Sequence, residues 1–180
     1  MFKVFIIFLL VVLFVSGCPK KVEEVDASTL IRKGRSYLVA ENEPFSGTVF
    51  ENYENGQLKE KGKVVDGKRE GEWVFYYDNG QLMTRSQYEN GLETGFWQNF
   101  YENGKLWSEG NFKQGREEGR WKFYCEEGIL RTDGEYLNGK IHGTWKYYRD
   151  DGTLRGEKFF DQGNHSKETK FYDEEGNLTE

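Results

Sequence analysis

The sequence predicts an all-β fold: an elongated, twisted antiparallel β-meander of stacked hairpins with a 24-residue period. Three observations predict it. Glycine stands at 47, 71, 95, 119 and 143, and Trp73, Trp97, Trp121 and Trp145 follow two places later, with Val49 in the first copy. A second glycine stands at 56, 80, 104, 128, 152 and 176, followed two places on by Leu58, Leu82, Leu106, Leu130, Leu154 and Leu178. Every interval is 24 residues, and a fixed period between roughly 20 and 50 marks an array whose units bury their apolar faces against their neighbours. Finally, each unit carries two turn signals, one at Asn55-Gly56, Asn79-Gly80 and their equivalents, the other at Asp66-Gly67, Asn90-Gly91 and theirs. The turns alternate at 11 and 13 residues, which makes two strands per unit.

At the N-terminus, Lys3 precedes an unbroken apolar run from Val4 to Val15. That run is too short for a membrane span, which needs about 20 residues, and fits the hydrophobic region of a secretory signal. Val15-Ser16-Gly17-Cys18 resembles the bacterial lipobox, and the resemblance implies cleavage after residue 17 and lipidation of Cys18. Residues 1–17 are read as signal peptide and 18–27 as a charged tether without periodicity. Residues 28–46, with a hairpin about Lys33-Gly34, lack the Trp and Leu landmarks and read as an N-terminal cap, since terminal repeats must cover an open edge. Five full units follow over 47–166, and 167–180, with Thr169 in the Trp position, is a capping half-repeat.

Within each unit, Asn-Gly favours a type I′ turn with a two-residue loop. That loop sets Tyr77 opposite Leu82, Phe75 opposite Thr84 and Trp73 opposite Ser86; the same rule sets Val49, Trp97 and Trp121 opposite Gly62, Gly110 and Gly134, and Trp145 opposite Lys158. A large ring over a strand glycine shields the exposed backbone. Alternation of side chains then collects Trp73, Phe75, Tyr77, Leu82, Tyr88 and their equivalents on a repeating core face. The opposite face collects Tyr76, Phe100, Tyr124, Tyr148 and Tyr172, successive members lying two strands or roughly 9–10 Å apart.

The pattern in Gly71–Leu82 and Gly119-Arg120-Trp121-Lys122-Phe123-Tyr124 resembles bacterial MORN-repeat variants, and the resemblance covers residues 47–180. It implies a sheet of stacked hairpins. Many bacterial members carry an antitoxin label, which suits an exported, lipid-anchored chain only if the toxin acts in the envelope.

The formal net charge is −6; without residues 1–17 the chain carries 24 basic and 31 acidic residues, a net of −7. An acidic domain disfavours nucleic acid and electrostatic docking on anionic lipid. No catalytic constellation is legible: His142 and His165 lie apart in turn regions, no Cys/His spacing suits zinc, and no phosphate loop or nucleophile elbow occurs. No cofactor or metal is expected, and Cys125, in a slot held elsewhere by Tyr53, Tyr77 and Tyr101, reads as a half-buried thiol.

The candidate partner-binding residues are Tyr76, Phe100, Trp107, Tyr124, Arg131, Tyr148 and Arg155 on the second face, with Trp107 set opposite Phe100 and Arg131 opposite Tyr124. Exposed aromatics in a row stack on sugar rings or grip an extended partner; the plainer alternative is that these rings also pack. Three functional readings follow: a non-catalytic, lipid-anchored scaffold of the bacterial envelope holding a protein partner, a cell-wall glycan binder, and an immunity protein neutralising an envelope-acting toxin. The glycan reading draws on a distant resemblance of Trp-x-x-Tyr-Tyr and Gly-x-Leu to choline- and glucan-binding repeats. Localisation is expected at a bacterial membrane through Cys18, the outer one if the host is diderm, because Pro19 rather than aspartate follows the cysteine.

Overall fold

The computed structural model describes residues 24–39 and 43–179. The strands are β1 (Glu24–Asp26), β2 (Ile31–Lys33), β3 (Ser36–Leu38), β4 (Gly47–Asn52), β5 (Leu58–Val65), β6 (Lys68–Tyr76), β7 (Leu82–Glu89), β8 (Leu92–Phe100), β9 (Leu106–Lys113), β10 (Arg116–Tyr124), β11 (Leu130–Leu137), β12 (Lys140–Tyr148), β13 (Leu154–Asp161), β14 (Asn164–Tyr172) and β15 (Leu178–Thr179). Thirteen of them form one sheet in the order β1 and then β4 through β15; the chain crosses over from β1 to its parallel neighbour β4 and runs as an antiparallel meander from β4 onward, while β2 and β3 pair separately. The expected meander is therefore the observed one.

The expected tether over 18–27 ends sooner. Glu24–Asp26 pairs in parallel with β4, Val25 lying beside Val49. The physical reason is edge protection: without β1 the first strand of the array would present an open row of backbone groups. Asp26 then caps a short 3-10 turn, accepting from the Ser28 N–H at 2.8 Å, and Ala27 is buried. The signal segment and Cys18 lie outside the described residues.

The tryptophan register holds throughout: Trp73 pairs with Ser86, Trp97 with Gly110, Trp121 with Gly134 and Trp145 with Lys158. The turn that produces it differs from the expected one. At Asn79-Gly80 the Tyr77 N–H donates to Gln81 and the Gly80 N–H to Tyr77, and Gly80 alone has positive φ (+83°). That is a type I turn with a left-handed glycine and a three-residue loop. The register then slips back, because Tyr76 pairs with Leu82 but Phe75 with Thr84, leaving Met83 as an extra residue. The two one-residue offsets cancel before Trp73 is reached. The type I′ turns are instead the second set, where Asp66 and Gly67, Asn90 and Gly91, and their equivalents all have positive φ.

Two corrections to the face assignment follow. Leu82, Leu106, Leu130 and Leu154 pair with Tyr76, Phe100, Tyr124 and Tyr148, so these leucines belong to the second face. Trp107, Arg131 and Arg155, like Met83, are bulge residues, not partners of the second-face rings. A bulge re-aims the side chain it carries.

The rings also lie differently from the hairpin-partner expectation. A Cβ built on Gly62 would fall 2.1 Å from the Trp73 ring, one on Gly110 2.1 Å from Trp121, and one on Gly134 2.3 Å from Trp145. Each indole thus lies back over the strand before it, on the glycine eleven residues upstream. Its N–H donates to the carbonyl of Lys63, Asn111 or Glu135 respectively, at 3.0–3.2 Å. This accounts for the fifth unit: Lys158 has Thr169 across from it and no ring to accommodate, while Trp145 is buried over Gly134. Trp97 is the exception. Ser86 stands where its glycine would be, and the Trp97 indole turns instead to Asn99 Oδ1 at 3.1 Å and remains half-buried.

Repeat is tied to repeat on the outside of the hairpins. The hydroxyls of Tyr53, Tyr77 and Tyr101 each donate at 2.7 Å to the carbonyl of Tyr76, Phe100 and Tyr124 in the next unit. Cys125 interrupts that row as a half-buried free thiol. At the N-terminal end Tyr37 (2% exposed) and Phe45 close the core over Trp73, with Val49 and Val64 beneath.

Candidate functional site

The rings expected to form a binding ladder on the second face are only half exposed. Tyr76, Phe100, Tyr124 and Tyr148 each stand across from a leucine. The Tyr124 hydroxyl donates to Glu109 Oε1 at 3.1 Å; burial, and then the neighbouring Glu109 carboxylate, push it up to about 12. The second face therefore carries a minor packed ladder of aromatic and leucine side chains.

Of the three bulge residues, Arg131 is ion-paired with Asp150 and Arg155 is exposed beside Tyr147 and Phe171. Trp107 is 46% exposed and lies on the tryptophan side, its ring 6.3 Å from that of Tyr101. There it helps line a cavity of about 290 Å³ with Trp97, Phe112, Glu117, Trp121, Phe123 and Tyr136. The candidate residues are thus not brought together: Trp107 opens onto one face, and the Tyr76–Tyr148 row lies on the other.

The cavity forms where the array is irregular twice. Ser86 has displaced Trp97, whose ring now sits 4.8 Å from Phe112. Trp107 rises from the bulge where other units carry Lys59, Met83, Arg131 or Arg155. At its floor Asn99 bonds to both the Trp97 indole and the Ser108 hydroxyl, so the polar groups beneath the rings are satisfied. On the far side Trp121 stacks with Phe123 at 6.1 Å and meets the edge of Tyr136 at 5.9 Å. Glu117 on β10 contributes the one carboxylate, and no Lys or Arg lines the space.

Trp97, Trp121, Phe123, Tyr136 and Glu117 were not legible as site residues, because the repeat assigns the first four to the core. One signal in the sequence points to them. The column 69, 93, 117, 141, 165 reads Arg, Glu, Glu, Ile, His, changing between basic, acidic and apolar from unit to unit.

Among the described residues no group of three or more His, Cys, Asp or Glu side chains stands ready to hold a metal ion, and no helix is long and apolar enough to cross a membrane. Residues 46–66, 69–90, 93–114 and 141–162 match the family described as MORN repeat variant. The copy that would occupy 117–138 is in phase with these and lies between the matched segments; it contributes Glu117, Trp121, Phe123 and Tyr136 to the cavity. A comparison with curated proteins found no match to the chain.

Proposed function

With four segments matching the MORN repeat variant family as the premise, we propose that this chain is a non-catalytic interaction scaffold of the bacterial cell envelope. It holds a protein partner on the tryptophan face of its sheet and is itself held to a membrane by acyl chains on Cys18. The observation that carries this reading is the exposed, bulge-borne Trp107 beside an open aromatic cavity, at the point where an otherwise regular array breaks its own pattern. A regular array needs no large exposed ring there, and Trp, Tyr and Arg are the residues that dominate binding hot spots. The long strand-after-strand surface supplies a platform, and the second-face row of Tyr76, Phe100, Tyr124 and Tyr148 forms its packed backing.

Crosslinking in detergent-solubilised envelope, followed by affinity capture of the full chain, tests both halves. Trp107→Ala is expected to leave the melting temperature within a few degrees of the parent while weakening capture of a fixed protein partner. Capture undiminished by Trp107→Ala, or retention on purified wall glycan alone, overturns the scaffold reading. Cys18→Ser is expected to release the chain from membranes; unchanged membrane association, with no acyl group on the parent chain, overturns the anchor.

A further inference from the structure

The rings around Trp121 repeat an arrangement found two units earlier around Trp73. Trp73 stacks with Phe75 at 6.1 Å and 27° and meets Tyr88 at 6.3 Å and 74°. Trp121 stacks with Phe123 at 6.1 Å and 22° and meets Tyr136 at 5.9 Å and 74°. The space enclosed by the first set is filled by the chain itself. The Arg69 guanidinium carbon lies 4.1 Å from the Trp73 ring centre, 5.1 Å from Phe75 and 5.4 Å from Tyr88. Its Nη2 donates to Glu60 Oε2 at 2.9 Å and to the Tyr37 hydroxyl at 3.0 Å. Burial alone would lower the Arg69 pKa, but Tyr37 and Glu60 outweigh it and hold the group charged.

Forty-eight residues on, the position of Arg69 is Glu117. The aromatic enclosure is kept, the cation is gone, a carboxylate stands in its place, and a cavity of about 290 Å³ opens. Neighbouring units do not share this state. Glu93 is ion-paired with Arg35 at 3.5 Å, and Ile141 puts an apolar side chain at the equivalent place beside Trp145. Glu117 has no cationic partner among the described residues. Ring faces are negative at their centres and attract a cation, and a carboxylate beside them adds to that attraction. A guanidinium fits better than an ammonium, because it is flat enough to stack on an indole and offers a fork of donors to a carboxylate.

We propose that the cavity bounded by Trp107, Trp121, Phe123, Tyr136 and Glu117 binds an arginine side chain of a partner protein. The partner thereby supplies, at this unit, the group that Arg69 supplies internally two units earlier. This deepens the scaffold reading and rests on it for the source of the arginine. The net charge of −6 favours approach of a basic surface.

The test uses the full chain in non-ionic detergent and follows the indole N–H resonances during titration with N-acetyl-arginine amide. The Trp107 and Trp121 resonances are expected to shift and saturate at millimolar probe. The uncharged isostere N-acetyl-citrulline amide should bind at least tenfold more weakly, and Glu117→Gln should weaken the arginine probe several-fold. Glu117→Arg is expected to fold, to place its own guanidinium between the rings, and to abolish probe binding. Equal response to arginine and citrulline, no saturable shift, or full binding to Glu117→Arg overturns the proposal. Tighter binding of tetramethylammonium than of the arginine probe overturns the guanidinium assignment in favour of a small quaternary amine. If the probe fails while Trp107→Ala still weakens capture of a crosslinked partner, the scaffold reading stands and this proposal falls. Probe binding as expected with no protein captured keeps the guanidinium site and removes the scaffold reading.

Discussion

Gly110→Ala is the sharpest probe of how this array is held together. The added methyl carbon would lie 2.1 Å from Trp121 Cδ2 and 2.2 Å from Cε2, whereas carbon atoms in contact sit about 3.5–4.0 Å apart. The φ of Gly110 is not positive, so alanine meets no backbone strain there and the cost is steric. The ring must withdraw by about 1.5 Å or swing aside, and Trp97 above Ser86 shows the direction available. Swinging aside removes the indole bond to the Asn111 carbonyl, worth about 1 kcal/mol, and exposes part of a ring that is now 4% exposed. Overpacking costs about 1–3 kcal/mol, and complete loss of a buried Trp about 3–5 kcal/mol, so about 2–3 kcal/mol is expected. In melting temperature that is about 4–12 °C for a chain of this size. In a Trp121→Ala background the same Gly110→Ala change should be neutral or stabilise by about 0.5–1 kcal/mol, since alanine restricts the unfolded chain more than glycine does. The double-mutant cycle should therefore show a coupling of about 2–3 kcal/mol. Arrays open unit by unit, so native-state hydrogen exchange on β9 and β10 should accompany the thermal melt. A loss below about 0.5 kcal/mol, or additivity across the cycle, refutes the ring-over-glycine argument.

Trp121→Ala should cost about 3–5 kcal/mol, and Trp97→Ala about half as much because its ring is already displaced and half-buried; equal losses in denaturant melts would contradict this. Ser86→Gly should let the Trp97 indole return over the strand and donate to a backbone carbonyl, seen as movement of its N–H resonance toward those of Trp73, Trp121 and Trp145; an unmoved resonance counts against it. Thr169→Trp should add little alone but stabilise together with Lys158→Gly, since only the pair recreates a ring on a glycine; a destabilised double variant in calorimetry argues otherwise. Tyr124, held up to about 12, keeps its proton in the folded state where the unfolded chain loses it near pH 10. Stability should thus fall as pH rises from about 10 to about 12, and Tyr124→Phe should flatten that fall; an identical alkaline profile in the variant refutes the assignment.

The sequence by itself determined the architecture, because the 24-residue step repeats without insertion and leaves one strand order open. It also determined the pairing of Trp73, Trp97, Trp121 and Trp145, for a reason it did not contain. The loop at Asn79-Gly80 is one residue longer than expected and the bulge at Met83 takes the difference up, so the two departures leave Trp73 opposite Ser86 all the same. Which way a bulge residue points is not a property of sequence parity, so alternation alone places Trp107 on the wrong face. The lean of each indole depends on the absence of a Cβ on a strand eleven residues away, so the Gly-before-Trp pattern was visible while its meaning was not. Likewise β1 is charged and aperiodic; what makes it a strand is the open edge of β4 beside it. Only tertiary structure decided that the rings around Trp121 enclose a space, because an enclosure is made by side chains from four strands and emptied by a single charge reversal at Glu117.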